Sequence, residues 1–331
     1  MSQKKGKTPQ KQPNGNGSIL HIPATGSANP AASLPALWAY IQPALDHIIK
    51  SPSNDPYGKA PSIDVGFYSG IHSACYNYFT SPKFQPKPEV AGIDIYGQLD
   101  KYFSETAREL MLGTPQDDTT LIHYIIPCFN RYSSGVQSVN RLLSYVNRHY
   151  VSRAIDEDKG WLRISDILQS VAKTISPDDT REKISERLRQ KRVDELKKWG
   201  YDEGGVGATM AVAETCAEAA SPEDRIVPIS SLAMRRFRID FIEPLLAVPK
   251  MNGKAKSKAK HKIPKDPVTP LPPKGRLARA VKVLVESQTI SHDDRNQLIR
   301  ELAKMLQMTG VRPEHVLRKR LDKLVATQDA T

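Results

Sequence analysis

The sequence predicts a mainly α fold, a bundle of helices around one long central helix. Two observations predict it. Between Leu121 and Tyr150, apolar side chains stand at Ile122, Ile125, Phe129, Tyr132, Val136, Val139, Leu143, Val146 and Tyr150. Steps of three or four residues put them on one helical stripe. Such a stripe exceeds the needs of a short surface helix and suits the centre of a bundle. A second face carries Asn140, Asn147, Arg148 and His149, which hydrogen-bond rather than pack. The second observation is that helical spacing returns in segment after segment on either side.

Composition sets the outer limits. A chain of 331 residues can bury one sizeable core or two. No apolar run approaches membrane-spanning length, so a soluble protein with no membrane partner is expected. The lysine-rich N-terminus lacks a following apolar run, which argues against a secretory signal. Three cysteines, Cys75, Cys128 and Cys216, lie far apart with no metal-type spacing. That points to a reducing compartment and to small buried hydrophobes.

The net charge of +12 is unevenly placed. Residues 1–45 hold four lysines and no acids, while residues 250–276 hold eight lysines, one arginine and one aspartate. These two segments carry the whole excess, so the rest of the chain is neutral by formal count. Solvated tails and linkers explain this; weak polyanion contact or nuclear import is the sharper reading.

In chain order, residues 1–34 predict a disordered basic tail. Leu37, Trp38, Ile41, Leu45, Ile48 and Ile49 predict a first helix, bent or interrupted by Pro43. A loop follows to Pro61. Tyr68, Ile71 or His72, and Cys75 mark one stripe of a second helix, with Tyr76 and Phe79 on its neighbour. Ile95, Leu99, Tyr102, Phe103, Ala107 and Leu110 mark a third. Thr119 or Thr120 is placed to cap the central helix, and Pro127 to kink or begin it.

Residues 160–225 predict one charged helix from Pro177 to Trp199, capped by Ser176 and ended by Gly200. An alanine-rich helix over 206–220 follows, with Gly204–Gly207 as a hinge. Residues 251–276 read as an extended Lys/Pro linker. Three short helices close the chain over 277–331, the second opened by Ser291 with Asp294 and ended by Gly310, the third opened by Pro313.

Tyr132 together with Tyr145-Val146-Asn147-Arg148-His149-Tyr150 resembles the YLNRHW-type ending of cullins, the scaffolds of multi-subunit ubiquitin ligases. Tyr76, Asn77, Tyr78, Thr80 and Ser81 match the family's VYNYCTS, and Ile93–Phe103 resembles its GxDLYxxLxxYF helix. Ile229–Leu246 resembles the YSLALxxWRxxxFxPL segment, but arrives late, so 160–225 reads as an insertion. Arg318–Leu324 is similar to the family's KKRIExLI.

The resemblance implies a cullin-repeat-like helical domain over 35–250 and a winged-helix-like module lacking its wing over 277–331. It also implies a surface that binds a Skp-type or BTB-type substrate adaptor. Carried over by position, Tyr68, Ile71, His72 and Cys75 supply one half, and Tyr145, Val146 and His149 the other. His72 replaces a common tyrosine and Cys75 a valine-like residue, which leaves the adaptor's identity open.

Val285 stands where the family carries the lysine that accepts a Nedd-type modifier, with Lys282 one turn earlier, so no modification is expected at the family position. Nothing resembles the α/β domain that holds the RING subunit, so none is expected by the usual cullin route. The expectation is a non-catalytic adaptor-binding scaffold of ubiquitin-dependent proteolysis in cytoplasm or nucleus, acting as a decoy for full cullins. No catalytic, cofactor or metal motif stands out among eight scattered histidines. The alternative is a nucleic-acid-binding protein using its basic linker and Arg312, Arg318, Lys319, Arg320 and Lys323. Glu314 and Asp322 balance those charges, which favours an ordinary solvent face.

Overall fold

The structure is a computed structural model that describes residues 19–20, 29–50, 59–81, 92–202, 207–248, 275–288 and 290–329. Most of the basic tail, most of the 51–61 loop, most of the Gly204–Gly207 hinge and nearly all of the Lys/Pro linker lie outside these residues. The described residues are mainly helical, with a single isolated bridge between Leu20 and Ile63.

Helix α1 (Leu34–Lys50) runs through Pro43. Its Trp38 meets Tyr102 edge-on at 5.8 Å, and Lys50 pairs with Glu109 at 2.9 Å. Helix α2 (Val65–Thr80) is capped by Asp64, whose carboxylate accepts the N–H groups of Gly66 and Phe67. Helix α3 (Ile93–Leu112) is entered through Gly92. Helix α4 (Asp118–Leu142) contains Pro127 without ending there. Its cap is Asp117, not Thr119 or Thr120, because the Asp117 carboxylate takes the Thr119 N–H at 3.1 Å.

All nine stripe residues between Ile122 and Tyr150 are buried. They do not sit on one unbroken helix, however. The backbone turns aside at Leu143 (φ −100°, ψ 27°), and α5 (Ser144–Val146) leads into a wide π-type turn over Asn147–Val151. After α6 (Ser152–Ala154) a second wide turn, Ile155–Lys159, places Asp158 at φ 60°. Its carboxylate accepts the N–H groups of Ile164 and Ser165 at 2.5 and 3.4 Å and so starts α7 (Ile164–Ala172).

Helix α7 was not expected from the sequence. Helix α8 (Arg181–Lys197) starts later than expected and is capped by Thr180 rather than Ser176. The Ser176 N–H is taken instead by the Asp179 carboxylate at 2.8 Å. Leu196 and Trp199 meet Ala213, Cys216 and Ala217 of α9 (Gly207–Ala220) in a small second core. Helix α10 (Ile229–Phe237), a wide turn over Arg238–Ile242 and α11 (Glu243–Leu246) return the chain to α3 and α4.

Helices α12 (Arg276–Glu286), α13 (His292–Met308) and α14 (Val316–Asp329) follow. The sequence sets them apart as a module beyond a linker. Here Leu277, Ala280, Val281 and Leu284 of α12 share the main core with α4, and one core runs from Ala31 to Leu321. Arg276 and Arg279 both reach Asp118 in the first turn of α4, at 3.2 and 2.8 Å. Ser291 caps α13 by accepting the Asp294 N–H at 3.1 Å.

Glu218 of α9 is only 7% exposed and accepts the Ser231 hydroxyl of α10 at 2.5 Å. Nearby Arg235 is spent on the carbonyls of Pro222 and Arg225. Burial pushes the Glu218 carboxyl up to about 7 from 4.5. The folded chain therefore holds this proton more tightly than the unfolded chain, and its contribution to stability is fully present below 4.5. It is lost as pH rises through about 7, by up to ~3 kcal/mol. Glu218→Gln flattens that slope. Urea unfolding on both sides of the window will show a smaller pH difference for the variant than for the native chain.

Candidate functional site

Helix α2 divides its side chains by period. Phe67, Ile71, Ala74, Cys75 and Tyr78 face the core, while Tyr68, His72 and Tyr76, four residues apart, face outward. Tyr68 is 40% and Tyr76 52% exposed. The Tyr78 hydroxyl donates to the Asp94 carboxylate and ties the end of α2 to the start of α3. Gly92 makes room for the site. At φ +92° it suits glycine, and a Cβ there would stand 2.5 Å from the Phe79 ring. Phe79 can then lie beside α5.

Tyr145 is the hub. The rings of His72, Tyr76 and Phe79 meet it edge-on, with centroids at 5.7, 5.8 and 5.4 Å. His149, one turn on, stacks on it at 4.1 Å. Burial raises the Tyr145 hydroxyl above its ordinary value. Burial, helped by the Arg148 charge, lowers His149, so its imidazole is neutral at physiological pH. The cluster thus sets its rings in the edge-on and stacked arrangements that aromatic quadrupoles prefer.

The turn that carries Tyr145 and His149 is held from behind. Asn147 donates its amide to Asn140 at 2.8 Å. The carbonyl oxygens of these two side chains take the N–H groups of Ile229 and Ser230 at 3.0 and 3.2 Å. Pro228 precedes α10 and supplies no side-chain cap, so two carboxamides from α4 and the following turn satisfy its first donors. Of the polar face read from the sequence, Asn140 and Asn147 therefore fix α10 against the site, whereas His149 packs on the Tyr145 ring instead of hydrogen-bonding.

The seven carried-over residues divide. Tyr68, His72 and His149 are exposed and Tyr145 is at the boundary, 8% exposed. Ile71, Cys75 and Val146 are core residues, 0%, 1% and 0% exposed, and cannot touch a partner. The reason is phase. Three residues past Tyr68 the helix has turned 300°, so Ile71 falls on the inner side, whereas His72 returns to the outer one. Tyr76, left on a neighbouring stripe by the sequence reading, belongs to the exposed set; the step of four from Tyr68 was the available signal.

Burial pushes Cys75 up to about 12 and Cys216 to about 11, and raises the half-buried Cys128 as well. Such thiols stay protonated at neutral pH. Among the described residues no cluster of His, Cys, Asp and Glu is arranged to hold a metal ion, and no helix is long and apolar enough to cross a membrane.

At the C-terminal helices, Arg318 is 5% exposed. It donates to the Val311 carbonyl at 2.5 Å and lies over the Trp199 ring at 5.4 Å. That removes it from the basic set proposed for nucleic acid, leaving Arg312, Lys319, Arg320 and Lys323 exposed. Val285 is half-buried, and Lys282 reaches toward Glu286 at 3.8 Å.

Against known proteins, the chain is 23% identical over 104 residues to cullin-1 of Dictyostelium discoideum, a match covering 29% of this chain and 14% of that protein. The similarity is weak and points to a cullin-like relationship. The chain covers 14% of the length of the relative it matches. No family model and no solved structure matches it.

Proposed function

We propose that this protein is a non-catalytic, cullin-like scaffold that receives a Skp-type or BTB-type substrate adaptor of ubiquitin-dependent proteolysis on α2 and α5. The observation that carries the reading is the Tyr145 cluster, with Tyr76 52% exposed at its rim and Tyr68 40% exposed on the outer side of the same helix. Aromatic side chains bury much area with few rotors, and centrally placed tyrosines dominate many interfaces. The cluster is also pre-ordered by Gly92 below and by Asn140 and Asn147 behind, which lowers the cost of binding. The weak likeness to cullin-1 supports a scaffold of this general kind.

Tyr76→Ala/His149→Ala removes two outer rings without opening the core. Adaptor affinity should fall by about 30-fold or more, corresponding to roughly 2 kcal/mol, while the melting temperature stays near that of the native chain. The decoy role has its own readout. Added to a reconstituted cullin ligase, the native chain lowers substrate ubiquitination in proportion to adaptor captured, and extra adaptor restores it. Cytoplasm and nucleus, where such ligases work, are the proposed locations.

A further inference from the structure

Beside Tyr68 the surface folds into a groove that the aromatic cluster does not use. We propose that this groove receives an acidic, extended peptide segment of the partner that docks on α2 and α5. The inference rests on the adaptor-binding reading for the partner's identity, but the groove's chemistry stands by itself.

The groove comprises two hollows of about 530 and 450 Å³. Lys59, Ser134 and Gln137 line both, so the hollows are continuous along α4. The first is walled by Lys59, Ser62, Ser138 and Arg141 over an apolar floor that includes Ile48 and Leu142. Among the described residues that line it none is acidic. Its rim is fixed: His47 holds the Ser62 carbonyl at 3.1 Å, and the Ala60 N–H donates to Ser134 at 3.1 Å. Tyr68 also lines this hollow, and its hydroxyl donates to the Arg141 carbonyl at 3.1 Å.

Charge chooses the occupant. The Arg141 guanidinium is steadied by the Ser138 hydroxyl at 3.1 Å and, like the Lys59 ammonium, has no carboxylate partner among the described residues. The second hollow adds Lys304 beside Glu301, the one carboxylate among its described lining residues, which accepts the Gln297 amide at 2.9 Å. Two cations with no carboxylate partner among the described residues, above serine hydroxyls and an aliphatic floor, suit carboxylates spaced along an aliphatic chain. Lining residues run from Phe129 to Leu142, about 20 Å of helix, which matches about six extended residues rather than a single small anion.

The test uses the full chain and a labelled peptide of alternating glutamate and leucine. A carbodiimide couples a bound glutamate to the nearest lysine amine as an amide, and mass spectrometry of the digest locates it. Lys59 should be the principal site despite the many lysines elsewhere. Arg141→Glu should cut that adduct at least tenfold, Arg141→Gln less, with melting temperatures confirming both folds. Tyr76→Ala/His149→Ala, which removes the adaptor-binding rings, should leave it intact, so loss of adaptor binding and loss of groove binding read separately. Adducts confined to other lysines, or a Lys59 adduct indifferent to Arg141→Glu, would overturn the proposal. So would its disappearance in millimolar inorganic phosphate, which would assign the groove to simple anions instead.

Discussion

Gly310→Ala lowers the stability of the chain by roughly 2–4 kcal/mol, whereas Gly200→Ala costs only about 1 kcal/mol. Both glycines end helices at positive φ, +78° and +93°. Each substitution therefore meets the backbone strain of a left-handed residue. Only Gly310 is also crowded. A Cβ there would stand 2.6 Å from the Ala219 carbonyl carbon and 2.7 Å from the Ala220 Cα, backbone atoms of α9 that cannot swing aside. At Gly200 the nearest atom is the Gln307 amide nitrogen at 3.7 Å. Gly310 also completes a Schellman-type end to α13, with the Val311 N–H on the Leu306 carbonyl at 2.9 Å and Val311 buried. Urea unfolding of the two variants side by side checks the contrast. Equal losses would mean that α9 and α13 do not pack as described.

Phe237→Ala costs about 3–5 kcal/mol. Phe237 is fully buried and lies among three other rings, Phe241 at 4.6 Å, Tyr132 at 5.0 Å and Phe129 at 5.5 Å. Truncation leaves a ring-sized cavity where the late segment over 229–246 meets the central helix. It also loosens the hydrogen bond from the Tyr132 hydroxyl to the Ala233 carbonyl. Phe237→Leu should recover much of the loss, and Leu112→Ala, at a side chain 88% exposed, should change stability by about 0.5 kcal/mol or less. A small effect at Phe237 would mean that 229–246 is not part of the same core as α4.

Much of the architecture was legible in the sequence because apolar periodicity reports burial directly. Every stripe residue from Ile122 to Tyr150 is in the core, and Asn140 and Asn147 hydrogen-bond as their polar face implied. The break at Leu143 was not legible. The stripe passes through it unbroken, and the wide turn after it is fixed by bonds to Ile229 and Ser230, some eighty residues away. Caps were misplaced for a similar reason. Asp117, Thr119 and Thr120 are all capable of capping, and local geometry selects among them. Helix α7 hid in a segment read as an insertion, although Ile167 and Val171 are spaced for it.

At the site, motif position brought some residues together and left others in the core. His72 and His149 meet Tyr145, whereas Tyr68 bonds instead to the Arg141 carbonyl, and Ile71, Cys75 and Val146 lie in the core. Motif position alone does not distinguish a residue that meets a partner from the one beneath it. Helix α14 shows the converse. Arg318 stands in a run of basic residues that reads as solvated surface, but the Val311 carbonyl and the Trp199 ring hold it in the core.

The most direct test of the adaptor-binding role is isothermal titration of the full chain with purified Skp-type and BTB-type adaptors, repeated with Tyr76→Ala/His149→Ala. Saturable one-to-one binding to one adaptor class, weakened about 30-fold or more in a double variant that melts like the native chain, is the expected result. Absence of binding to both classes by a folded chain, or equal binding by the double variant, would contradict an adaptor site on α2 and α5.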